Sequence, residues 1–396
     1  MKKLGLLPKL ILAILIGIGI GMLGMEVPVR VLATFNGIFG NFLKFAIPLI
    51  IIGFVAPGIG ELGTGAGKLL GITTAIAYTS TVVSGSFAYF VNSVLFKKLL
   101  NGLSLAEATN PEHATLPGYL TINMPPIMDV MTALLMAFMI GIGIAIVKGN
   151  AIKNVMNEFQ TIVEGVIKNI IIPFLPLHIA GIFANMTYAG QVATILAVFS
   201  KVFAVIIILH LSILIIQYTI AGTLSGKNPF TLLKNMLPAY FTAIGTQSSA
   251  ATIPVTLNQT RENGVNTGIA EFVVPLCATI HLSGSTITLV SCAMAVMMLN
   301  GMTISFGTMF GFILMLGVTM VAAPGVPGGA VMAALGIIET MLGFPPTLTS
   351  LMIALYLAQD SFGTACNVTG DGAIAIIVNK VAGFKLEKEK NMVENI

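Results

Sequence analysis

Four residues near the C-terminal end of the chain, Asp360, Thr364, Asn367 and Asp371, carry the most chemistry for their surroundings. On a helix turning about 100° per residue, offsets of four, seven and eleven return to within roughly 40° of the starting direction, so all four share one face. Ionisable side chains at bilayer depth are costly, and they face a protein interior or a water-filled cavity where they handle ions or substrate. Hydroxyls and amides also bond helices together in membranes, but two carboxylates exceed what such structural bonding requires. The stripe therefore reads as a site for a cation, an ammonium group or both.

The rest of the chain supplies the hydrocarbon setting. Of its 396 residues 56% are hydrophobic and only 9% are charged, where soluble domains carry about 25% charged residues; mean hydropathy is +0.98. A membrane span needs about 20 apolar residues, and eight candidates occur, at roughly 5–24, 34–57, 67–96, 126–147, 168–187, 190–222, 268–299 and 347–379. The first follows Met1-Lys2-Lys3 but lacks a small-residue cleavage site and reads as a retained helix. Lys2, Lys3, Lys9, Lys148, Lys153, Lys227, Lys234, Arg261, Lys380, Lys385, Lys388 and Lys390 fall in alternate connections. By the positive-inside rule these are cytoplasmic, which places both termini inside the cell membrane, with Arg30, Lys97 and Lys98 as exceptions. The net charge of +4 is then a topological signal and not a nucleic-acid footprint. Cys277, Cys292 and Cys366 have no metal or redox spacing.

Two further apolar segments are interrupted. Residues 231–258 are broken by Gly245-Thr-Gln-Ser-Ser-Ala-Ala-Thr252 and Pro254, and residues 303–343 by Ala323-Pro-Gly-Val-Pro-Gly-Gly329. Each reads as a helical hairpin that enters and leaves by one face. Each precedes a long span that is itself interrupted, by His281-Leu-Ser-Gly-Ser285 or by Gly363-Thr-Ala-Cys-Asn-Val-Thr-Gly-Asp371. The two units start from opposite sides, so they form inverted repeats, the pattern of secondary transporters whose site lies near the bilayer midplane. Backbone groups freed at the breaks can bind ions there instead of going unsatisfied in lipid. The expected fold is all-α, with eight transmembrane helices and two re-entrant hairpins.

Ser248-Ser-Ala-Ala-Thr-Ile-Pro-Val-Thr256, Pro275-Leu-Cys-Ala-Thr-Ile-His281, Gly325-Val-Pro-Gly328 and Asn367-Val-Thr-Gly-Asp371 resemble the dicarboxylate/amino acid:cation symporters, strongly from about 231 to 379 and weakly over the first 150 residues. The resemblance implies a homotrimer working by alternating access, with residues 1–64 and 125–187 mainly scaffold and 65–98 and 188–385 mainly a mobile transport unit. It implies a substrate site of Ser248, Ser249, Ser285, Val326, Asp360, Gly363, Thr364 and Asn367, with Asp360 on the ammonium and Asn367 on the α-carboxylate. It further implies sodium sites, partly through backbone carbonyls, from Cys277, His281, Asn367 and Asp371 and from Thr279, Met320, Val321 and Ala323. Sodium is then a coupled substrate; no cofactor is expected.

The departures from that pattern carry the selectivity argument. Acidic-substrate members have an arginine where this chain has Gly363, and Gln247 stands where some members supply another. A second carboxylate in a dry pocket without a cation is strongly penalised, so a neutral amino acid is the expected substrate; an acidic amino acid, a dicarboxylate or an exchange mode is the alternative. His281 and Ser283 replace the asparagine and aspartate that build a third sodium site with Tyr78 and Thr81, which weakens that site. His281 itself reads either as a satisfied interior histidine or, being titratable near neutrality, as a route to proton coupling. An intramembrane hydrolase using Ser249, His281 and Asp371 lacks a nucleophile-elbow context, and a dedicated channel lacks charge rings or a repeated carbonyl filter.

Overall fold

A computed structural model describes residues 6–63, 67–100, 116–147, 149–190, 192–320, 323 and 328–393. Among these the chain is all helical. Val321 and Val326, both expected at the site, lie outside the described residues.

The N-terminal part consists of α1 (Leu6–Met22), α2 (Glu26–Gly63), α3 (Gly67–Leu99), α4 (Val130–Ile146), α5 (Ala151–Val166) and α6 (Ile172–Tyr188). A π-helical turn at Ile167–Ile171 joins α5 to α6. Pro173 follows it directly; having no N–H to donate and crowding the turn before it, a proline forces such an adjustment. The span expected at 168–187 is thereby the second half of a longer rod that starts at Ala151. Helix α2 packs against α4, α5 and α6, and α1 lies along α6. Gly17 and Gly21, one turn apart, face the α6 backbone at Ala180 and Ala184 with no room for a side chain, the close approach that small residues allow between membrane helices.

The remaining elements are α7 (Val192–Ser225), α8 (Pro229–Asn235), α9 (Leu237–Thr246), α10 (Ser249–Glu262), α11 (Thr267–Ile280), α12 (Ser283–Leu299), α13 (Phe306–Thr319), α14 (Gly329–Leu342), α15 (Pro346–Leu357) and α16 (Asp360–Val393). Helices α9 and α10 pack on each other, as do α13 and α14. The first pair turns at Gln247, the only non-glycine residue with positive φ among the described residues, at 53°. The break there covers Gln247 and Ser248 alone; Gly245, Thr246 and Ser249 through Thr252 are helical, and Pro254 sits inside α10.

The break in the 268–299 span occurs where the sequence put it, at His281 and Leu282. The break in the last span does not. The chain leaves the helix at Ala358 and Gln359, and Gly363 through Asp371 continue α16 without interruption. Their glycines and polar residues are poor helix formers, but the segment is buried on every side and its side chains find partners on neighbouring helices.

Polarity is inverted relative to a soluble protein. Large apolar side chains such as Leu15, Leu135, Met139, Ile208 and Ile220 are exposed, while Asn92, His210, Gln217, His281, Asp360, Asn367 and Asp371 are buried. Five helical stretches are long and apolar enough to cross a membrane, at Glu26–Pro57, Ala151–Tyr188, Leu196–Ser225, Thr267–Leu299 and Asp360–Ala382. The chain is a multi-pass membrane protein. Helix α16 is its hub, packing against α3, α7, α9, α10, α11, α12 and α15. Two apolar cores meet along it: Cys366 belongs to one, Ala365 and Val368 to the other.

The crossing of α12 over α16 is closest at Gly284, where an added methyl would stand 2.5 Å from the Gly363 carbonyl and from Cys366 Cβ. Gly284→Ala is expected to lower stability by about 1–3 kcal/mol through overpacking, whereas Gly19→Ala, with nothing within 4 Å, leaves it unchanged. Thermal melting of the two purified variants in detergent checks this.

Candidate functional site

Helix α12 begins in the protein interior, and its N-cap position, Leu282, has no side chain able to accept the free N–H groups of the first turn. Asn367 does so from α16: its Oδ1 accepts from Gly284 N–H at 2.8 Å and from Ser285 N–H at 3.1 Å, and its Nδ2 donates to Ser285 Oγ at 2.9 Å. An amide from a neighbouring helix thus performs the task that a cap residue performs within a chain.

Asp360 has the same relation to α14. The N-cap there is Gly328, with φ of 77°, a left-handed conformation suited to glycine. Its N–H donates to Asp360 Oδ2 at 2.7 Å. An acid at a helix N-terminus is also favoured by the helix dipole. The Tyr356 hydroxyl lies beside the same carboxylate and 3.1 Å from Ser285 Oγ, so Asp360, Tyr356, Ser285 and Asn367 form one continuous polar group.

Asp371, the last member of the stripe, meets the break between α11 and α12. His281 Nδ1 is 2.9 Å from Asp371 Oδ1, and both side chains are buried. The far ring nitrogen, Nε2, is 3.0 Å from Ser80 Oγ on α3, and Gln217 Nε2 on α7 donates to that same oxygen at 3.0 Å. The amide oxygen of Gln217 and the Thr81 hydroxyl are buried without a hydrogen-bond partner among the described residues. Of the expected third-site residues, Tyr78 bonds instead to the Leu314 carbonyl at 3.2 Å.

Thr364 and Ser249 are buried, and Ser248 caps α10 by accepting from Ala251 N–H at 3.2 Å. A methyl built on Gly363 would stand 3.5 Å from Thr288 Oγ1 and 3.6 Å from Ser285 N, ordinary contacts that leave room for a first side-chain atom. The proposed cation ligands are more dispersed. The Cys277 carbonyl accepts from His281 N–H at 2.8 Å, and that of Met320 accepts from Ala323 N–H at 3.0 Å. Thr279 is exposed, its hydroxyl donating to Leu276 O at 2.8 Å.

Sequence reasoning did not single out Tyr356, His210 or Gln217. His210 Nε2 lies 3.0 Å from the Gly284 carbonyl and 3.1 Å from Thr288 Oγ1, at the closest point of the crossing. A signal was present: His210 and Gln217 are seven residues apart in a very apolar span, hence on one face of it. Tyr356 carried none, since a tyrosine near a span end usually marks the membrane interface.

The sequence as a whole is similar to known transporters. The model of the family described as "Sodium:dicarboxylate symporter family" matches residues 6–381. The chain is 26% identical over 388 residues to a serine/threonine transporter SstT of Acinetobacter baumannii, covering 93% of this chain and 95% of that protein. It is 31% identical over 249 residues to an excitatory amino acid transporter of Caenorhabditis elegans, covering 61% of this chain and 49% of that protein. It is also 29% identical over 259 residues to human excitatory amino acid transporter 2, covering 64% of this chain and 45% of that protein. The chain thus matches about half the length of the excitatory amino acid transporters and nearly all of the bacterial one.

The buried His281–Asp371 pair generates a stability test. Removing one partner of a buried hydrogen-bonded pair costs about 1–3 kcal/mol because the other is left unsatisfied. His281→Leu and Asp371→Asn are each expected to lower the melting temperature, and the double variant to lie well above the sum of the two losses. Simple additivity in this double-mutant cycle means that the pair is not coupled.

Proposed function

The chain belongs to the sodium:dicarboxylate symporter family, whose members are transporters and not enzymes, and from that premise we propose that it couples the uptake of a neutral amino acid to sodium by alternating access. The observation that carries this reading is the buried α16 stripe, of whose four members Asp360, Asn367 and Asp371 each meet the broken end of another helix. Asp360 is the ammonium partner and Asn367 the carboxylate partner. Asp371 contributes an anionic oxygen to a sodium site, joined by carbonyls near the α11–α12 break; hard cations take such oxygens readily. Val326 and Val321, on the connection between α13 and α14, complete the substrate and second sodium sites.

We read the pairs α9–α10 and α13–α14 as re-entrant hairpins that gate the site, within eight transmembrane spans and inverted repeats. The packing of α2 with α4, α5 and α6, and of α16 with α7 and α9 to α12, supports a scaffold and a transport unit. The unit would move within a homotrimer in the cytoplasmic membrane, with both termini inside. Uptake of labelled alanine or serine into proteoliposomes under an imposed sodium gradient tests the function. Saturable, gradient-dependent accumulation is expected, and its absence for every common amino acid rejects the proposal.

Selectivity follows from charge. Among the residues whose side chains are described no lysine or arginine is buried, so a substrate's second carboxylate would lie unpaired at a cost of several kcal/mol. The serine/threonine transporter relative supports the same direction. Alanine and serine are expected to compete for binding to the wild type, and aspartate and glutamate not to. Gly363→Arg is expected to weaken neutral binding and create affinity for aspartate, because a guanidinium pairs a carboxylate with two parallel hydrogen bonds. Tight aspartate binding to the wild type supports the acidic-substrate alternative instead. Asp360→Asn is expected to abolish amino acid binding without altering the melting temperature by more than a few degrees.

A further inference from the structure

We propose that Tyr356 is a positioning residue of the substrate site: its hydroxyl holds the Asp360 carboxylate at a fixed separation from the Ser285–Asn367 pair, and so makes the site selective for α-amino acids. The inference rests on the substrate reading above and adds to it a residue and a geometric criterion.

Tyr356 is on α15, across the Ala358–Gln359 break from Asp360, and is fully buried. Its hydroxyl stands 3.1 Å from Ser285 Oγ and beside the Asp360 carboxylate, while Ser285 Oγ also receives Asn367 Nδ2 at 2.9 Å. A phenol has one proton to give. If it goes to Ser285, that oxygen accepts from both Tyr356 and Asn367; if it goes to Asp360, Ser285 can donate to the phenol oxygen. The second arrangement ties the two recognition groups together through one rigid ring, because an ionised carboxylate only accepts and has no proton to give the phenol oxygen. Asn367 is already fixed by two backbone N–H groups of α12, and Asp360 Oδ2 by Gly328 N–H. The phenol supplies a further restraint on the Asp360 carboxylate.

The chemical consequence concerns distance. In an α-amino acid the ammonium and carboxylate share one carbon; in a β-amino acid they are one carbon farther apart. A site whose anchors cannot separate discriminates between the two, and loosening one anchor relaxes the discrimination. Burial alone would not give Tyr356 this role, because a ring that only fills space leaves the ratio untouched when its hydroxyl is removed.

The test is competition binding of alanine and β-alanine to the purified full-length protein in sodium, for wild type, Tyr356→Phe, Ser285→Ala and Asp360→Asn. Loss of one hydrogen bond to a charged group corresponds to about tenfold or more in affinity. Tyr356→Phe is therefore expected to weaken alanine about tenfold and β-alanine less than twofold, with an unchanged melting temperature. Ser285→Ala cuts the same tie from the other side and is expected to narrow the ratio in the same direction. An unchanged alanine to β-alanine ratio in Tyr356→Phe overturns the proposal whatever the absolute affinities. If Tyr356→Phe does not fold, the ratio in Ser285→Ala decides, and failure of both to fold also overturns it by making the tie purely structural. Asp360→Asn separates the two levels: retained alanine binding there rejects the substrate-site reading itself. Lost binding there with an unchanged ratio in Tyr356→Phe rejects only the positioning role.

Discussion

A helix that stops inside hydrocarbon leaves backbone N–H groups with no water to receive them, and each unsatisfied group costs several kcal/mol. Helices α12 and α14 both start in the interior, and both have their first N–H groups answered by side chains of α16: Asn367 for Gly284 and Ser285, Asp360 for Gly328. The polar stripe is therefore part of what lets the chain fold with interrupted helices at all. The same groups can bind a ligand because each retains further hydrogen-bonding capacity: a carboxylate has four lone-pair positions, and Asn367, whose oxygen already accepts twice, keeps the second hydrogen of its amide nitrogen. Fold and site are one set of bonds.

This explains which parts were legible in the sequence. The stripe was readable from spacing alone, because offsets of four, seven and eleven survive any small error in the helix ends. The break at His281 was readable because a titratable residue, a serine and a glycine interrupt an apolar run. The Gly363–Asp371 segment was misread as a break because glycine, threonine and asparagine are weak helix formers. Burial among seven neighbouring helices overrides that weakness, and the chain bends instead at Ala358 and Gln359, residues with no breaker signature. The turn between α9 and α10 shrank for a related reason: Ser248 caps α10 itself, so two residues suffice where eight small and polar ones suggested a longer gap.

What the sequence could not supply was the pairing across elements. The Asp371–His281–Ser80–Gln217 chain draws on α16, the α11–α12 break, α3 and α7, which are separated by up to 291 positions in the sequence numbering from Ser80 to Asp371. Nothing local marks Ser80 among its many hydroxyl neighbours on α3. His210 and Gln217 could have been flagged as polar residues in an apolar span, but not assigned partners. In this arrangement Tyr78 bonds to the Leu314 carbonyl and the His281 ring lies against Asp371.

The charge balance ties gating to binding. Among the residues whose side chains are described the buried ones include two aspartates and no lysine or arginine, so buried negative charge has few internal partners. Asp371 has the His281 ring; among the described residues Asp360 has the neutral donors Gly328 N–H and the Tyr356 hydroxyl. Neutral donors offset a buried carboxylate less well than a cation does, and an incoming ammonium is the better partner. Gly328 belongs to the start of α14, so the group proposed to receive the ammonium is the one bonded to the second helical pair. In the proposed cycle substrate therefore changes the bonding of that pair directly, through a shared carboxylate. No longer chain of contacts is required between the site and this gate.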